Sequence, residues 1–269
     1  MEHEPSFMSA NPILLVGAGR MGGALLDGWA QTGAFAAADI GIFDPHPGEA
    51  AARAAEHGSS LTPDLAAART VLLAVKPQIW RESAADLTPR LAPDAVIVSI
   101  AAGVRAADLS AAFGGRRVAR VMPTTAVAIG QGTASIYAAD GEALDRARTL
   151  FAPVATVVEL ADEALMDAAT AVSGSGPAYL YAFVEALEAA GVAAGLDDAA
   201  SARLARATVQ GAAALMAQSG LDPAELRRQV TSPGGTTAAA LAVLMGEGGL
   251  EPLLQAAVAA AARRSRELG

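Results

Sequence analysis

One change of pattern along the chain limits its fold more than any other feature. Up to about residue 158, seven short β-type runs alternate with helical stretches. They are I-L-L-V-G from 13, a run over Asp39–Phe43, T-V-L-L-A-V from 70, A-V-I-V-S-I from 95, R-V-A-R-V-M from 117, T-A-S-I-Y from 133 and A-T-V-V-E from 155. Such alternation implies a mostly parallel sheet with helices on both faces. The runs from 70 and 95 are almost continuously apolar, as strands buried on both faces are. After residue 160 the β runs vanish. Residues 162–172, 177–194, 198–218, 236–245 and 251–267 all read as helices, with Gly195, Gly220 and the 246–249 stretch as stops. No repeat and no low-complexity linker intervenes, so two domains should join directly near residue 160.

The first strand runs straight into glycines. Residues 12–23 read P-I-L-L-V-G-A-G-R-M-G-G, placing Gly17, Gly19 and Gly22 at the G-x-G-x-x-G spacing of a dinucleotide site. Gly17 permits the tight turn, Gly19 lets the backbone approach a pyrophosphate, and Gly22 lets the following helix pack on the sheet. That helix, starting near Arg20, aims free N–H groups and its positive dipole end at the phosphates. The fold class is therefore α/β: a Rossmann-type, doubly wound, mostly parallel sheet followed by an all-α domain. The expected organisation is a disordered lead over 1–10, a dinucleotide-binding domain over 11–160 and a helical domain over 161–269. Asp44 follows the second strand, 27 positions after Gly17. An acid there takes the adenosine ribose hydroxyls and favours NAD, whereas NADP usually needs a nearby cation. Arg53 is the nearest one downstream. Asp44 equally suits the opening of the D-P-H-P turn, so both NADPH and NADH stay open as cofactor.

Composition excludes several classes of function. The 269 residues carry a net charge of −9, which opposes tracking a phosphate backbone, so no nucleic-acid partner is expected. There is no cysteine, hence no disulfide, thiol nucleophile or thiolate metal site. The start, M-E-H-E-P-S-F-M-S-A-N, lacks the basic then apolar order of a signal peptide. No run approaches a purely apolar membrane span. A cytoplasmic protein without membrane association is expected. His3, His46 and His57 have no partner at metal or triad spacing, so no metal is assigned. Ser173 and Ser175 in S-G-S-G-P-A-Y do not stand at nucleophile-elbow spacing and have no histidine in their half of the chain. That segment reads instead as a glycine-rich helix break.

Lys76 is the only lysine against 18 arginines. It follows the third strand and precedes Pro77, at a carboxyl strand end where open α/β sheets bind ligands. The second informative motif is T-S-P-G-G-T-T at 231–237. Pro233 and two glycines make an open turn, and Thr236 or Thr237 is placed to cap the helix that follows. The arrangement suits a small carboxylate, and it equally suits an ordinary capped loop. Leu180, Phe183, Val184 and Leu187 form an apolar stripe at helical spacing, and 256–262 is a small-residue helix. Both fit self-association as well as core packing.

Taken together, G-A-G-R-M-G (17–22), A-V-K-P-Q (74–78), S-I-A-A-G-V (99–104), R-V-M-P (120–123), S-G-S-G-P-A-Y (173–179) and V-T-S-P-G-G-T-T (230–237) resemble the pyrroline-5-carboxylate reductase family in order and spacing. The resemblance spans essentially the whole chain. It implies reduction of the cyclic imine pyrroline-5-carboxylate by NADPH or NADH to L-proline, the last step of proline synthesis. It also implies a helical domain that interlocks in a homodimer, with dimers assembling further, commonly into decamers. By motif, Gly17, Ala18, Gly19, Arg20, Met21 and Gly22 would serve the pyrophosphate, with Asp44 at the ribose. Val75, Lys76 and Pro77 would line the cofactor, and Ala101 and Ala102 would hold its nicotinamide end. Ser232, Gly234, Gly235, Thr236 and Thr237 would bind the substrate carboxylate, Thr237 also reaching the ring nitrogen as the catalytic hydroxyl. The chain departs from the family pattern at Thr124, Thr125 and Ala126, where N-T-P is usual, at Leu65, and at Gln229. A related imine reductase, a β-hydroxyacid dehydrogenase or a non-enzymatic nucleotide-binding module are the alternatives. The second of these would need a lysine in the helical domain, and residues 160–269 contain none.

Overall fold

The structure is a computed structural model describing residues 10–268. The disordered lead expected over 1–10 falls outside that range except for Ala10, which is fully buried beside Ile13 and Leu15. All seven sequence runs are strands: β1 (Ile13–Val16), β2 (Ile40–Phe43), β3 (Thr70–Leu73), β4 (Val96–Ser99), β5 (Val118–Pro123), β6 (Gly132–Ala138) and β7 (Ala155–Glu159). They form one sheet in the order β2-β1-β3-β4-β5-β6-β7. Every neighbouring pair is parallel except β5–β6.

Alternation along β1 builds two apolar layers. Ile13 and Leu15 face one layer with Leu25, Trp29, Ile42, Val98 and Phe151. Leu14 and Val16 face the other with Leu73, Trp80, Leu87, Ile97 and Phe113. Successive side chains of a strand point to opposite faces, so a strand covered on both sides must be apolar throughout. Each large side chain so buried contributes about 1.5–3 kcal/mol. The covering helices are α1 (Arg20–Thr32), α2 (Glu49–Glu56), α3 (Trp80–Leu87), α4 (Ala106–Ala112) and α5 (Gly141–Phe151). Trp29 anchors α1, donating from its indole nitrogen to the Leu150 carbonyl at 2.9 Å. Arg116 is buried without a carboxylate. It donates to the carbonyls of Thr88, Leu91, Ala92 and Phe113, and burial pulls its guanidinium below the ordinary value.

The residues after β7 divide into compact units at a different point from the domain boundary expected at 160. A short α6 (Met166–Ala169) and a π-helical turn at Thr170–Gly174 stay with the sheet, burying Met166 and Ala171. By contacts, one compact unit runs to Gly174 and includes the chain from Ala261 on, where Ser265 donates to Asp167 at 2.6 Å. The other unit is Ser175–Ala260. The sequence boundary marked the end of β content, which is not where packing changes. The helix break expected at 173–179 is likewise a π turn, in which Thr170 and Ser173 bond back to the Met166 and Ala169 carbonyls.

The second unit contains α7 (Gly176–Ala193), α8 (Asp198–Ser219), α9 (Pro223–Gln229), α10 (Thr236–Leu244) and the start of α11 (Leu250–Leu268). Helices α7 and α8 pack closely at one point, where a Cβ on Gly191 would lie 2.1 Å from Ser201 Oγ. Asp197 caps α8, and Gly220, left-handed at φ 63°, ends it. Sequence reading missed α9, although Asp222 caps it and Pro223 opens it. Within 175–260 only Ser201 and Ala205 are buried.

Candidate active site

Four parallel strands end on one edge, and backbone hydrogen bonds step across it. Gly17 N donates to Phe43 O, Ala74 N to Val16 O, and Ile100 N to Leu73 O, at 2.8–3.1 Å. Gly17, Asp44, Val75 and Ala101 therefore leave the sheet in one row, although they lie far apart in sequence. Strand β1 sits between β2 and β3, so the chain reverses direction across the sheet there. Such a switch point opens a crevice at carboxyl strand ends. A cavity of about 890 Å³ occupies it, lined by Gly17, Gly19, Asp44, Val75 and Lys76 among the expected residues. Leu61, Ile79, Glu82 and Asp86 also line it and were not singled out from sequence; His46, weighed there only as a metal or triad residue, lines it too. Glu82 and Asp86 gave no signal there, because acids four apart on a short helix are ordinary surface residues.

The three glycines fit a dinucleotide for different reasons. Gly17 has φ +91°, and a Cβ there would sit 3.0 Å from Ala74 O. A Cβ on Gly22 would lie 2.1 Å from Gly17 O, so α1 could not start so close to the strand. A Cβ on Gly19 would meet nothing within 4 Å. The protein's own packing does not require glycine at 19, where the backbone borders the cavity. No side chain caps α1, so the first-turn N–H groups keep their capacity to bind an anion. The exposed apolar side chains of Leu61 and Ile79 offer a wall suited to a flat base.

Several expected residues do not line the cavity. Ala18 is buried, and its N–H is used internally, donating to Asp44 Oδ2 at 2.6 Å. Met21 packs on the apolar core. Arg20 is exposed at the first position of α1. Pro77 follows Lys76 outside the lining. Ala101 is buried and donates to Ser99 Oγ at 3.3 Å, with Ala102 beside it. Asp44 fills the turn-opening role too, its Oδ1 accepting from His46 N at 2.8 Å.

An ion pair underlies the loop that carries Ala101 and Ala102. Arg120 on β5 meets Glu163 Oε1 at 2.7 Å, with side chains 8% and 20% exposed. The same oxygen accepts from Ala106 N at 2.7 Å, at the first turn of α4. Glu163 thus ties β5 to the end of the 100–105 loop. Sequence reading gave no hint of this contact between residues 43 positions apart.

The 231–237 motif is built differently from the expectation. Gly235 N donates to Ser232 O at 3.1 Å, with Pro233 and left-handed Gly234 (φ +70°) between them. Proline followed by a positive-φ glycine is the type II pattern. Neither threonine caps α10. Gly235 is the N-cap without a side-chain bond, and Thr236 and Thr237 are the first two helical residues. Their hydroxyls and the open N–H groups remain available at the helix start, Thr237 half-buried and Ser232 exposed. The departures from the family pattern have local explanations. Leu65 is buried in the core. Thr124 closes a turn through Thr133 N at 3.0 Å, Thr125 and Ala126 begin the short helix after it, and Gln229 bonds Glu225 at 3.2 Å. Among the described residues no group of His, Cys, Asp or Glu is placed to hold a metal ion.

Fold and cleft define a Rossmann-type, NAD(P)-binding oxidoreductase with a helical second part. A family model described as pyrroline-5-carboxylate reductase dimerisation matches residues 163–268, and one described as NADP oxidoreductase, coenzyme F420-dependent, matches 12–103. The chain is 40% identical to a pyrroline-5-carboxylate reductase of Pseudomonas aeruginosa, over 97% of this chain and 98% of that protein. It is 38% identical to one from Pisum sativum, covering 100% of each. Among solved structures, the Coxiella burnetii reductase has a TM-score of 0.88 at 28% identity, over 97% of this chain and 99% of that one. The Plasmodium falciparum reductase, crystallised with NADP bound, has 0.82 at 26% over the same shares. The chain belongs to the pyrroline-5-carboxylate reductase family.

Proposed function

We propose that this chain is a pyrroline-5-carboxylate reductase, reducing the cyclic imine 1-pyrroline-5-carboxylate to L-proline as the last step of proline biosynthesis. When bound, NADPH or NADH supplies the hydride. The observation that carries the reading is the uncapped start of α10 behind the Ser232–Gly235 turn, a site for a small carboxylate. A protonated imine already carries the charge that makes its carbon electrophilic, so the chain needs no strong general acid. Its residues have three tasks: hold the carboxylate at Ser232, Gly234, Gly235 and Thr236, orient the ring, and exclude water. Thr237 donates or accepts a hydrogen bond at the ring nitrogen as it becomes an amine. The turn from Gly17 to Gly22 serves the pyrophosphate, Val75, Lys76 and Pro77 line the cofactor, and Ala101 and Ala102 hold its nicotinamide end.

The apolar faces of the second unit are covered by a second copy in a homodimer, and such dimers assemble further, to decamers. No described helix is long and apolar enough to cross a membrane; the reading places the enzyme in the cytoplasm, acting on a small molecule without nucleic acid or membrane. The test is oxidation of NADPH and NADH with and without pyrroline-5-carboxylate. Imine-dependent oxidation is the expected result. No turnover with either cofactor, in protein shown to bind one, overturns the reading.

A further inference from the structure

We infer that Glu163 is a positioning residue for hydride transfer, fixing the loop of Ala101 and Ala102 against the nicotinamide through its bond to Ala106. The inference rests on the reductase reading, in which that loop holds the nicotinamide end. The loop hangs between two anchors. At its start, Ile100 N donates to Leu73 O at 3.1 Å and Ala101 N to Ser99 Oγ at 3.3 Å. At its end, Ala106 N donates to Glu163 Oε1 at 2.7 Å, a contact across 57 positions of sequence. Between the anchors Gly103 turns left-handed at φ +77° and Val104 is buried. Ala101 and Ala102 therefore sit where the two anchors put them.

No local side chain supplies the second anchor. Arg105 precedes α4 and makes no side-chain cap, and a guanidinium has no acceptor to offer. A carboxylate suits that place, where a helix begins with open N–H groups. Glu163 is itself held firmly. Asp162 caps the short helical turn at Glu163–Leu165, accepting from Ala164 N at 2.9 Å. Just before it, Leu160 N donates to Ile136 O on β6 at 2.8 Å. Arg120 donates to the same Glu163 oxygen at 2.7 Å, and Arg120 is the register partner of Ser99 across β4 and β5. Both anchors thus rise from one rung of the sheet. In this reading Glu163 touches neither cofactor nor imine; it acts through the loop.

The test compares two double variants, Arg120→Met with Glu163→Gln and Arg120→Met with Glu163→Leu. Both remove the ion pair without stranding a charge. Only the Glu163→Gln form still offers an oxygen to Ala106 N. In hydrogen exchange without cofactor, residues 101–106 should exchange about tenfold faster in the Glu163→Leu form. They should stay within about twofold of wild type in the Glu163→Gln form. With NADPH and pyrroline-5-carboxylate, the Glu163→Leu form should lose about tenfold or more in kcat, because a misplaced nicotinamide slows the hydride step. Its KM for the imine should hardly move, since the Ser232–Gly235 turn is unaltered. The Glu163→Gln form should keep kcat within about threefold. A Glu163→Leu form with wild-type exchange, or with faster exchange and wild-type kcat, overturns the inference. So do equal losses in the two folded forms, which a merely structural pair would give. Wild-type protein without imine-dependent turnover defeats the reductase reading instead. Exchange with NADPH present then still decides the role of Glu163: protection of residues 101–106 weakened in the Glu163→Leu form supports it, and unchanged protection overturns it.

Discussion

Gly19 and Gly22 look alike in sequence and differ in physical role. At Gly22 an added methyl would be driven 2.1 Å from the Gly17 carbonyl oxygen, so Gly22→Ala must push α1 off the sheet. We expect it to destabilise the protein by about 1–3 kcal/mol in chemical unfolding. At Gly19 the methyl meets open cleft, with ordinary helical-entry geometry at φ −68°. Gly19→Ala should change stability by less than about 1 kcal/mol while weakening cofactor binding in a titration by tenfold or more. A Gly19→Ala protein with wild-type affinity would show that the turn does not carry a pyrophosphate. For Thr237→Ala, loss of one hydrogen bond to a charged group, roughly 1.5–3 kcal/mol, predicts a 10–100-fold drop in kcat/KM. Unchanged kinetics in the folded variant would remove that role from Thr237.

At the scale of elements, the strands were legible and the joints were not. Continuous apolar runs such as Val71–Leu73 and Val96–Val98 have few other ways to be buried, and both are strands. The short helix α9 went unread because seven residues carry too little periodicity, although its Asp222–Pro223 start was there to see. Thr236 and Thr237 misled because a threonine before an apolar run looks like a cap, whereas the Pro233–Gly234 turn lets the helix begin one residue earlier. The Arg120–Glu163 pair lay beyond sequence reasoning altogether, since charge pairing across the fold has no local pattern. Removing one partner of a largely buried pair leaves a stranded charge. Glu163→Gln should therefore cost about 3 kcal/mol or more of unfolding free energy in urea, and an Arg120→Met, Glu163→Leu double variant should recover most of it. Equal losses in the single and double variants would mean that the pair holds nothing in place.

For the molecule as a whole, the second unit does not bury its own apolar surface. Helix α10, T-T-A-A-A-L-A-V-L, is apolar on every side, yet none of its residues is buried and Val243 is 76% exposed. Leu180, Phe183 and Leu187, the stripe read from sequence, are exposed too. A helix apolar all round belongs in an interior, and patches of this extent mark association surfaces. Sedimentation velocity at micromolar concentration should show a dimer or larger species; a monomer would contradict the proposed assembly. The sequence by itself determined which segments become strands and which become the long helices, and that Gly17 and Gly22 must be glycine. Those choices follow from side-chain periodicity and local sterics, which neighbouring residues express directly. Only the tertiary structure decided that Gly17, Asp44, Val75 and Ala101 share one edge, that Asp44 braces the turn at Ala18, and that residues 161–174 stay with the sheet. Those outcomes depend on strand order and on contacts between residues far apart in the chain, which no local pattern encodes.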